Sequence, residues 1–414
     1  MMRTTSRRPA SASERPRFSR TPPAVALGLA ALVAAAGCRG GEGSAPAPAS
    51  TASPSRPVLD SHVHVTPSMV ALATALQVFE RSGVGRFVVK SAGSVGSQRY
   101  RATLAMQRVL GDRMRAFAVI DWDEIDHPQF ARRQLPALET MRRDGIVGIK
   151  IFKNLGLGLR TADGRLVPPD DPRLDELFDA CGRLGLIVAW HVADPVAFFE
   201  APTPDNERWD ELQLAPGWSF HGGDFPSHAE LLAAQERRIA RHPGTTFLLI
   251  HFANHAEDID DVERILETYP NVYTDTSARV PEFGRHPAER VRALFVKHQD
   301  RILFGSDFIV EGDGSMQLGS AWHVPDALPG LDDAVEFYAR HWRYFEGTDK
   351  QIDHPTPIQG RWKVDAIGLP PEVLRKFYVG NAERLLFREP LPAVFDPLAG
   401  MVLRRGPPPG VEAS

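Results

Sequence analysis

Eight short runs rich in β-branched residues, alternating with amphipathic helical stretches, predict an α/β chain folded as a (β/α)8 TIM barrel with long loops after strands 5 and 8. Three observations carry that prediction. Strand and helix signals alternate from residue 58 to about 308, which builds parallel sheets with helices outside. The strand runs are nearly continuous in apolar residues, as strands covered on both faces are. Polar residues able to hold a cation recur where those runs end. An open doubly wound sheet is the alternative, weakened because no glycine-rich phosphate loop follows any run.

The runs are VLDSHVHV (58–65), RFVVKSA (86–92), MRAFAVIDW (114–122), IVGIKIF (146–152), LIVAWHVA (186–193), TTFLLIHF (245–252), NVYTDTS (271–277) and ILFGSDF (302–308). Between them, PSMVALATALQVFERSG, PQFARRQLPALETMRRDG and AEDIDDVERILETYP repeat apolar residues at steps of three and four, and the first two end in glycine. PPEVLRKFYVGNAERLL (370–386) reads as a closing helix, so the barrel spans 58–390 and 391–414 is a tail.

Residues 1–37 differ in kind. Arg3, Arg7, Arg8, Arg15, Arg17 and Arg20 precede AVALGLAALVAAAG (24–37), the layout of an export signal removed from the mature chain. Cys38 follows small residues, as at a bacterial lipoprotein cleavage site, which would put a periplasmic protein on a lipid anchor. Residues 38–57 then form a flexible linker with no core-forming side chains. Loss of six arginines and one glutamate leaves 42 basic and 51 acidic residues, net −9, which argues against a nucleic-acid partner. Only Cys38 and Cys181 exist, so no disulfide framework is available; Cys181, among Leu174, Leu177, Phe178 and Leu184 at helical spacing, reads as a small buried apolar residue.

In a barrel of this kind chemistry sits at the C-terminal ends of the strands. Those ends carry His62 and His64, Lys150 or Lys153, His191, His251, Asp275 and Asp307. A single histidine on an apolar strand is most often a hydrogen-bonded core residue. Four histidines and an aspartate converging on one mouth are costly to bury without a cation, and a divalent metal meets that cost.

DSHVHV, AWHVAD, LLIHFAN and LFGSDF, in that order along the strands, resemble the amidohydrolase superfamily, and within it the amidohydrolase-related branch that includes aminocarboxymuconate-semialdehyde decarboxylase-like enzymes. GNAERLL resembles that family's final helix. The resemblance implies that His62, His64, His191 and Asp307 hold one metal, most simply Zn²⁺ with Mn²⁺ or Fe²⁺ as alternatives, and that His251 moves a proton. It also implies that Lys150 or Lys153 would bridge two metals in the binuclear branches; strand parity leaves open which of them faces inward, and a structural salt bridge is the alternative for both, so one metal is favoured over two.

The expected chemistry is metal-dependent hydrolysis of an ester, lactone or amide of a small molecule, with Asp307 and His251 as the acid–base pair. Non-oxidative decarboxylation or hydration of an unsaturated acid is the alternative, and a non-catalytic metal-binding lipoprotein the reading from another class. Arg279 is the candidate for a substrate carboxylate, with an ion pair to a neighbouring loop as its rival. The long segment 194–228 offers Phe198, Phe199, Trp209, Trp218 and Phe220, which either line a pocket or pin the loop down; Trp218 and Phe220 are taken as substrate-binding candidates. His221, Asp224 and His228 read as a polar rim, and His323, His341 and His354 receive no role.

Overall fold

The computed structural model describes Pro54 and residues 57–321 and 328–388. The leader, Cys38, most of the linker, the tail and His323 lie outside the described residues. Among the described residues no helix is long and apolar enough to cross a membrane.

Among the described residues, ten strands form one curled sheet. They are β1 (Val58–Val65), β2 (Val84–Val89), β3 (Met114–Val119), β4 (Gly148–Ile151), β5 (Ile187–Trp190), β6 (Phe247–Leu249), β7 (Val272–Asp275), β8 (Ile302–Leu303), β9 (Phe308–Val310) and β10 (Met316–Gln317). Their order is β10-β9-β1-β2-β3-β4-β5-β6-β7-β8, with only the β9–β10 pair antiparallel. The eighth expected strand is thus split in two. Its break at residues 304–307 still bonds to the first strand: Ser61 N donates to Phe304 O at 2.9 Å and Asp307 N to His62 O at 2.8 Å. The sheet therefore curls until its last run lies beside its first, consistent with the barrel expected.

The helices that follow are α1 (Met69–Ser82), α2 (Gln98–Leu110), α3 (Leu135–Arg143), α4 (Asp175–Leu184), α5 (His228–Arg241), α6 (Ile259–Thr268), α7 (Ala288–Lys297), α8 (Leu331–Glu346) and, after a π-turn, α9 (Asn381–Leu386). α1 starts at Ser68, whose hydroxyl accepts from Ala71 N, and ends at Gly83 in the left-handed region at φ 79°. The expected helix over 128–145 is shorter: Phe130–Arg133 and α3 are separate pieces meeting at Gln134, with Pro136 near the start of α3. The two long loops also carry structure. Residues 194–228 hold a short helix, Trp209–Leu214, between two 3₁₀ turns, and the insertion after the eighth run contains β10 and α8.

Two apolar clusters show which way each strand faces. The larger joins Val188 and Trp190 of β5 with Ile149 and Ile151 of β4 and the helices. The smaller joins Leu59, Val88, Phe117, Ile187, Ala189, Leu248 and Leu303, drawn from six strands and closed at one end by Leu385 and Leu386 of α9. Successive residues of a strand point to opposite faces, so the smaller cluster lines the inside of the curl. His191, two beyond Ala189, and Lys150, between Ile149 and Ile151, share that inner face. On β1, Leu59 and His62 both point inward although three residues apart; the register shift between Asp60 and Val63 makes this consistent.

Cys181 is buried and free, with its thiol pushed up to about 12 by burial, as an inert core residue should be. His341 is enclosed in α8 and bonds Phe337 O at 2.9 Å, while His354 bonds Gly360 O at 2.9 Å. Burial lowers both imidazoles to about 4. Because the unfolded chain binds those protons near 6.5, stability is complete above that pH and is lost as pH falls through about 4. Acid unfolding followed by circular dichroism should steepen between these limits, and His341→Gln should flatten the slope by up to about 1.4 kcal/mol per pH unit.

Candidate metal centre

At the C-terminal ends of the strands the structure gathers His62, His251 and Asp307, with one ligand atom of each lying within 4.8 Å of the others. His64 joins them, its Nε2 3.3 Å from Asp307 Oδ1, the same distance as His62 Nε2. His191 stands next to this group, its ring centroid 4.4 Å from that of His251, but its Nε2 is bonded to Asp194 Oδ1 at 3.1 Å. The other oxygen of Asp194 is paired with Lys153.

Hydrogen bonds fix which nitrogen of each ring is free. His62 Nδ1 lies 3.0 Å from Asp275 Oδ2. Burial pushes Asp275 up, but His62, their hydrogen bond and Lys90 outweigh it and hold the carboxyl at about 2. An ionised carboxylate only accepts, so His62 Nδ1 carries the proton and Nε2 presents a lone pair. His251 Nδ1 lies 2.9 Å from the carbonyl oxygen of Ser277, also an acceptor only, which frees its Nε2 in the same way. His64 Nδ1 meets Ser91 Oγ at 3.0 Å.

Burial holds His62 and His191 near 4 and His251 well below its ordinary value, so these rings are neutral at pH 7. Asp307 is ionised: burial opposes this, but the neighbouring His62, His64 and His251 keep it well below the usual carboxylate range. Its Oδ2 accepts from Ser320 Oγ at 2.5 Å, which turns Oδ1 to the histidines. His62 Nε2 and Asp307 Oδ1 are thus two buried acceptors facing each other, and neither has a hydrogen-bond partner. A cation answers that arrangement, and neutral imidazoles with a carboxylate are the donor set for Zn²⁺ or a similar divalent ion.

The backbone here is strained. Eight described non-glycine residues have positive φ, and seven lie around this mouth: His251, Phe252, Ala253, Asn254, Ala278, Asp307 and Ser320. The left-handed region costs an L-residue roughly 1–2 kcal/mol. Specific bonds hold the His251–Asn254 turn. His251 N donates to Asp275 Oδ1 at 3.1 Å, Ala253 N to Thr274 Oγ1 at 2.8 Å, and the Asn254 side chain bonds Val192 N, Trp190 O and Gln235.

A cavity of about 510 Å³ opens above the cluster, with Lys150, Lys153, Trp218, Arg279 and Phe198 in its wall. Lys150 faces inward, its Nζ 5.0 Å from the Phe152 ring, with its pKa lowered to about 7, chiefly by burial. Lys153 lies at the rim in its ion pair. Phe220 is not in the cavity wall; it packs on Phe199 and Phe225 and pins the loop. His221 and Asp224 are exposed while His228 is buried, and they form no metal cluster among the described residues. Arg279 is buried without the ion pair that was its rival reading, its one hydrogen bond going to Ala278 O at 2.9 Å. The supporting groups Asp194, Ser277, Ser320 and Ser91 were not singled out from sequence; Ser and Asp two to four residues beyond strand ends are the only signal they leave.

Asp275 supports both His62 and His251, and outer-shell partners of this sort typically set metal affinity by 10–100-fold. Asp275→Asn, which keeps the shape but not the charge, should weaken metal retention within that range in chelator competition while leaving the helical circular dichroism unchanged.

Among solved structures, the chain is similar to 2,6-dihydroxybenzoate decarboxylase complexed with 2,6-dihydroxybenzoate (15% identity, 80% of this chain and 99% of that one, TM-score 0.45). It is also similar to dihydroorotase from Campylobacter jejuni (13%, 80% and 82%, 0.44) and to an amidohydrolase from Burkholderia multivorans with bound HEPES (15%, 80% and 99%, 0.40). No curated protein matches it. A family model described as Amidohydrolase matches residues 61–388, nearly all of the described chain, and on that match the protein belongs to the amidohydrolase family.

Proposed function

We propose that this protein is a metal-dependent hydrolase that cleaves an ester, lactone or amide in a small molecule bearing a carboxylate. The observation that carries this is the facing pair His62 Nε2 and Asp307 Oδ1, buried, unprotonated and without hydrogen-bond partners. His62, His64 and Asp307 would hold one divalent ion, with His191 completing the set on leaving Asp194. Bound there, such an ion supplies an acidified water and polarises a carbonyl.

The rest follows from the chain's own groups. Asp307, ionised at neutral pH, is the base closest to the cluster and accepts a proton through Oδ1. His251, neutral and tethered by Nδ1 to Ser277, takes that proton at Nε2 and passes it to the leaving group. Arg279 grips the substrate carboxylate. Trp218, in the cavity wall, shields the reacting centre from water. The basic and apolar leader with Cys38 supports an exported, lipid-anchored enzyme, and the net negative mature charge supports a small-molecule rather than a nucleic-acid partner.

The chain lacking residues 1–37 should carry about one tightly held transition metal, lost when His62 and His64 are both changed to Ala. Metal-dependent cleavage across ester, lactone and amide panels is expected, with His251→Ala lowering turnover by about 10²–10⁴. Carbon dioxide release from unsaturated or aromatic acids, without cleavage of those panels, would replace hydrolysis by decarboxylation. A folded, never-chelated protein without metal would end both readings.

A further inference from the structure

The cavity wall holds more positive charge than its own carboxylates answer. It contains five basic side chains: Arg99, Lys150, Lys153, Arg208 and Arg279. Lys153 is paired with Asp194, and Arg208 with Glu211 at 2.7 Å and with Glu282. Arg99, Lys150 and Arg279 have no ion pair among the described residues. Buried or half-buried charge without a partner is expensive, and in a solvent-filled cavity it is tolerated where an anion is meant to come.

Arg99 is held in place rather than left loose. Its Nε donates to Ser91 O at 2.7 Å and its Nη2 to Ser91 Oγ at 3.2 Å, which occupies one edge of the guanidinium. The end-on fork formed by Nη1 and the second hydrogen of Nη2 stays free, and that fork matches the two oxygens of a carboxylate or phosphate. Glu311, exposed at the rim, attracts Arg99 through space but forms no ion pair with it; its carboxylate accepts from Thr66 instead. Arg279 is likewise anchored through one nitrogen, Nη1, leaving its other donors open.

The two arginines come from different parts of the ring. Arg99 follows β2 and Arg279 follows β7, and in the sheet β1 and the β8–β9 run lie between those strands. The two guanidiniums thus reach the shared cavity from roots separated by β1 and the β8–β9 run.

We propose that the substrate carries two separate oxyanion groups, one met by Arg279 and the other read by Arg99, which makes Arg99 a specificity-determining residue. This rests on the carboxylate-bearing substrate proposed above and adds a second, remote anion to it. Lys150 contributes a field that draws both groups inward.

Thermal-shift titrations of the metal-loaded protein with glutarate, butyrate and 4-phosphonobutyrate test it without knowledge of the natural substrate. Glutarate should bind at least tenfold more tightly than butyrate. Arg99→Gln should remove that difference while leaving butyrate affinity unchanged, and Arg99→Lys should retain part of it. Unliganded melting checks that each variant is folded; if the Gln variant is not, the Lys variant carries the comparison. Stronger, Arg99-dependent binding of 4-phosphonobutyrate than of glutarate would support the second anion and assign it as phosphate. Equal binding of glutarate and butyrate by the unaltered protein, or equal weakening of both by Arg99→Gln, would overturn the second subsite alone. If no acid binds the metal-loaded protein, the carboxylate reading of the substrate falls, and the second subsite with it.

Discussion

The Asp275 carboxylate is the constraint on which the rest of this centre depends. One oxygen takes the Nδ1 proton of His62; the other accepts from the backbone of His251 and from both the backbone and hydroxyl of Ser277. Ser277 in turn receives the Nδ1 proton of His251 through its carbonyl oxygen. A single buried anion at the end of β7 therefore sets the tautomer of two rings from two other strands. Its ionisation is itself sustained by those partners and by Lys90, so the charge and the geometry support each other. An apolar residue at that position would leave the His62 ring free to turn its lone pair elsewhere and would remove the bonds that hold the His251 and Ser277 backbone.

Strain at the same place is a consequence of what the site must present. Alternation along the strands delivers His62 and His64 from β1, past the register shift between Asp60 and Val63, and His191 just beyond β5, all without a left-handed residue. His251 and Asp307 are reached differently. β6 ends at Leu249 and the chain turns left-handed through His251–Asn254; the eighth run breaks at residues 304–307, with Asp307 at φ 61°. These two residues form the acid–base pair of the proposed mechanism. Each is held in an unfavourable backbone region by several hydrogen bonds, as strained functional residues elsewhere are. The bonding of Asn254 to Val192 N and Trp190 O also ties the β6 turn to the end of β5, so the two adjacent histidine-bearing loops are set as a unit.

Much of this architecture was legible in the sequence because barrel strands leave a strong, local signature. All eight expected runs appear as strands, and the polar strand ends meet at one mouth. The shortfalls have physical causes. The expected strand over 302–308 misses the break because Ser306 and Asp307 bond to Asp60 and His62 of β1, and Gly305 to Thr276 beyond β7, tertiary bonds that no local pattern encodes. Parity could not orient Lys150, since β4 reads as an apolar run on both faces; only its packing between Ile149 and Ile151 of the outer core does so. Phe220 has the residue type of a pocket lining, but it packs on two other aromatic side chains of the same loop, Phe199 and Phe225, instead. The arrangement of His191 toward Asp194, three residues on in the same HVAD phrase, depends on a side-chain choice that spacing alone leaves open.

The buried lysines bear on how many ions such a centre takes. Lys90 is fully enclosed, its Nζ without a hydrogen-bond partner and 4.2 Å from the Phe117 ring; its pKa is lowered to about 8, first by burial, while Asp275, Asp60 and Asp307 pull it back up. Lys150 lies on the same inner face two strands away, inside the field of Asp307 and Asp275. Neither touches a carboxylate, yet both share a low-dielectric interior with the acids that surround the histidines, where charge acts at long range. Part of the negative charge that would draw a second divalent ion is thereby already answered by ammonium groups that cannot leave. One doubly charged ion between His62 and Asp307 complements what remains. A second beside it would face two lysines, unless one of them gave up its own charge to become a ligand. The proposed single-ion centre is thus favoured by the positive charge the barrel keeps inside it, as much as by the donor atoms that point at the ion.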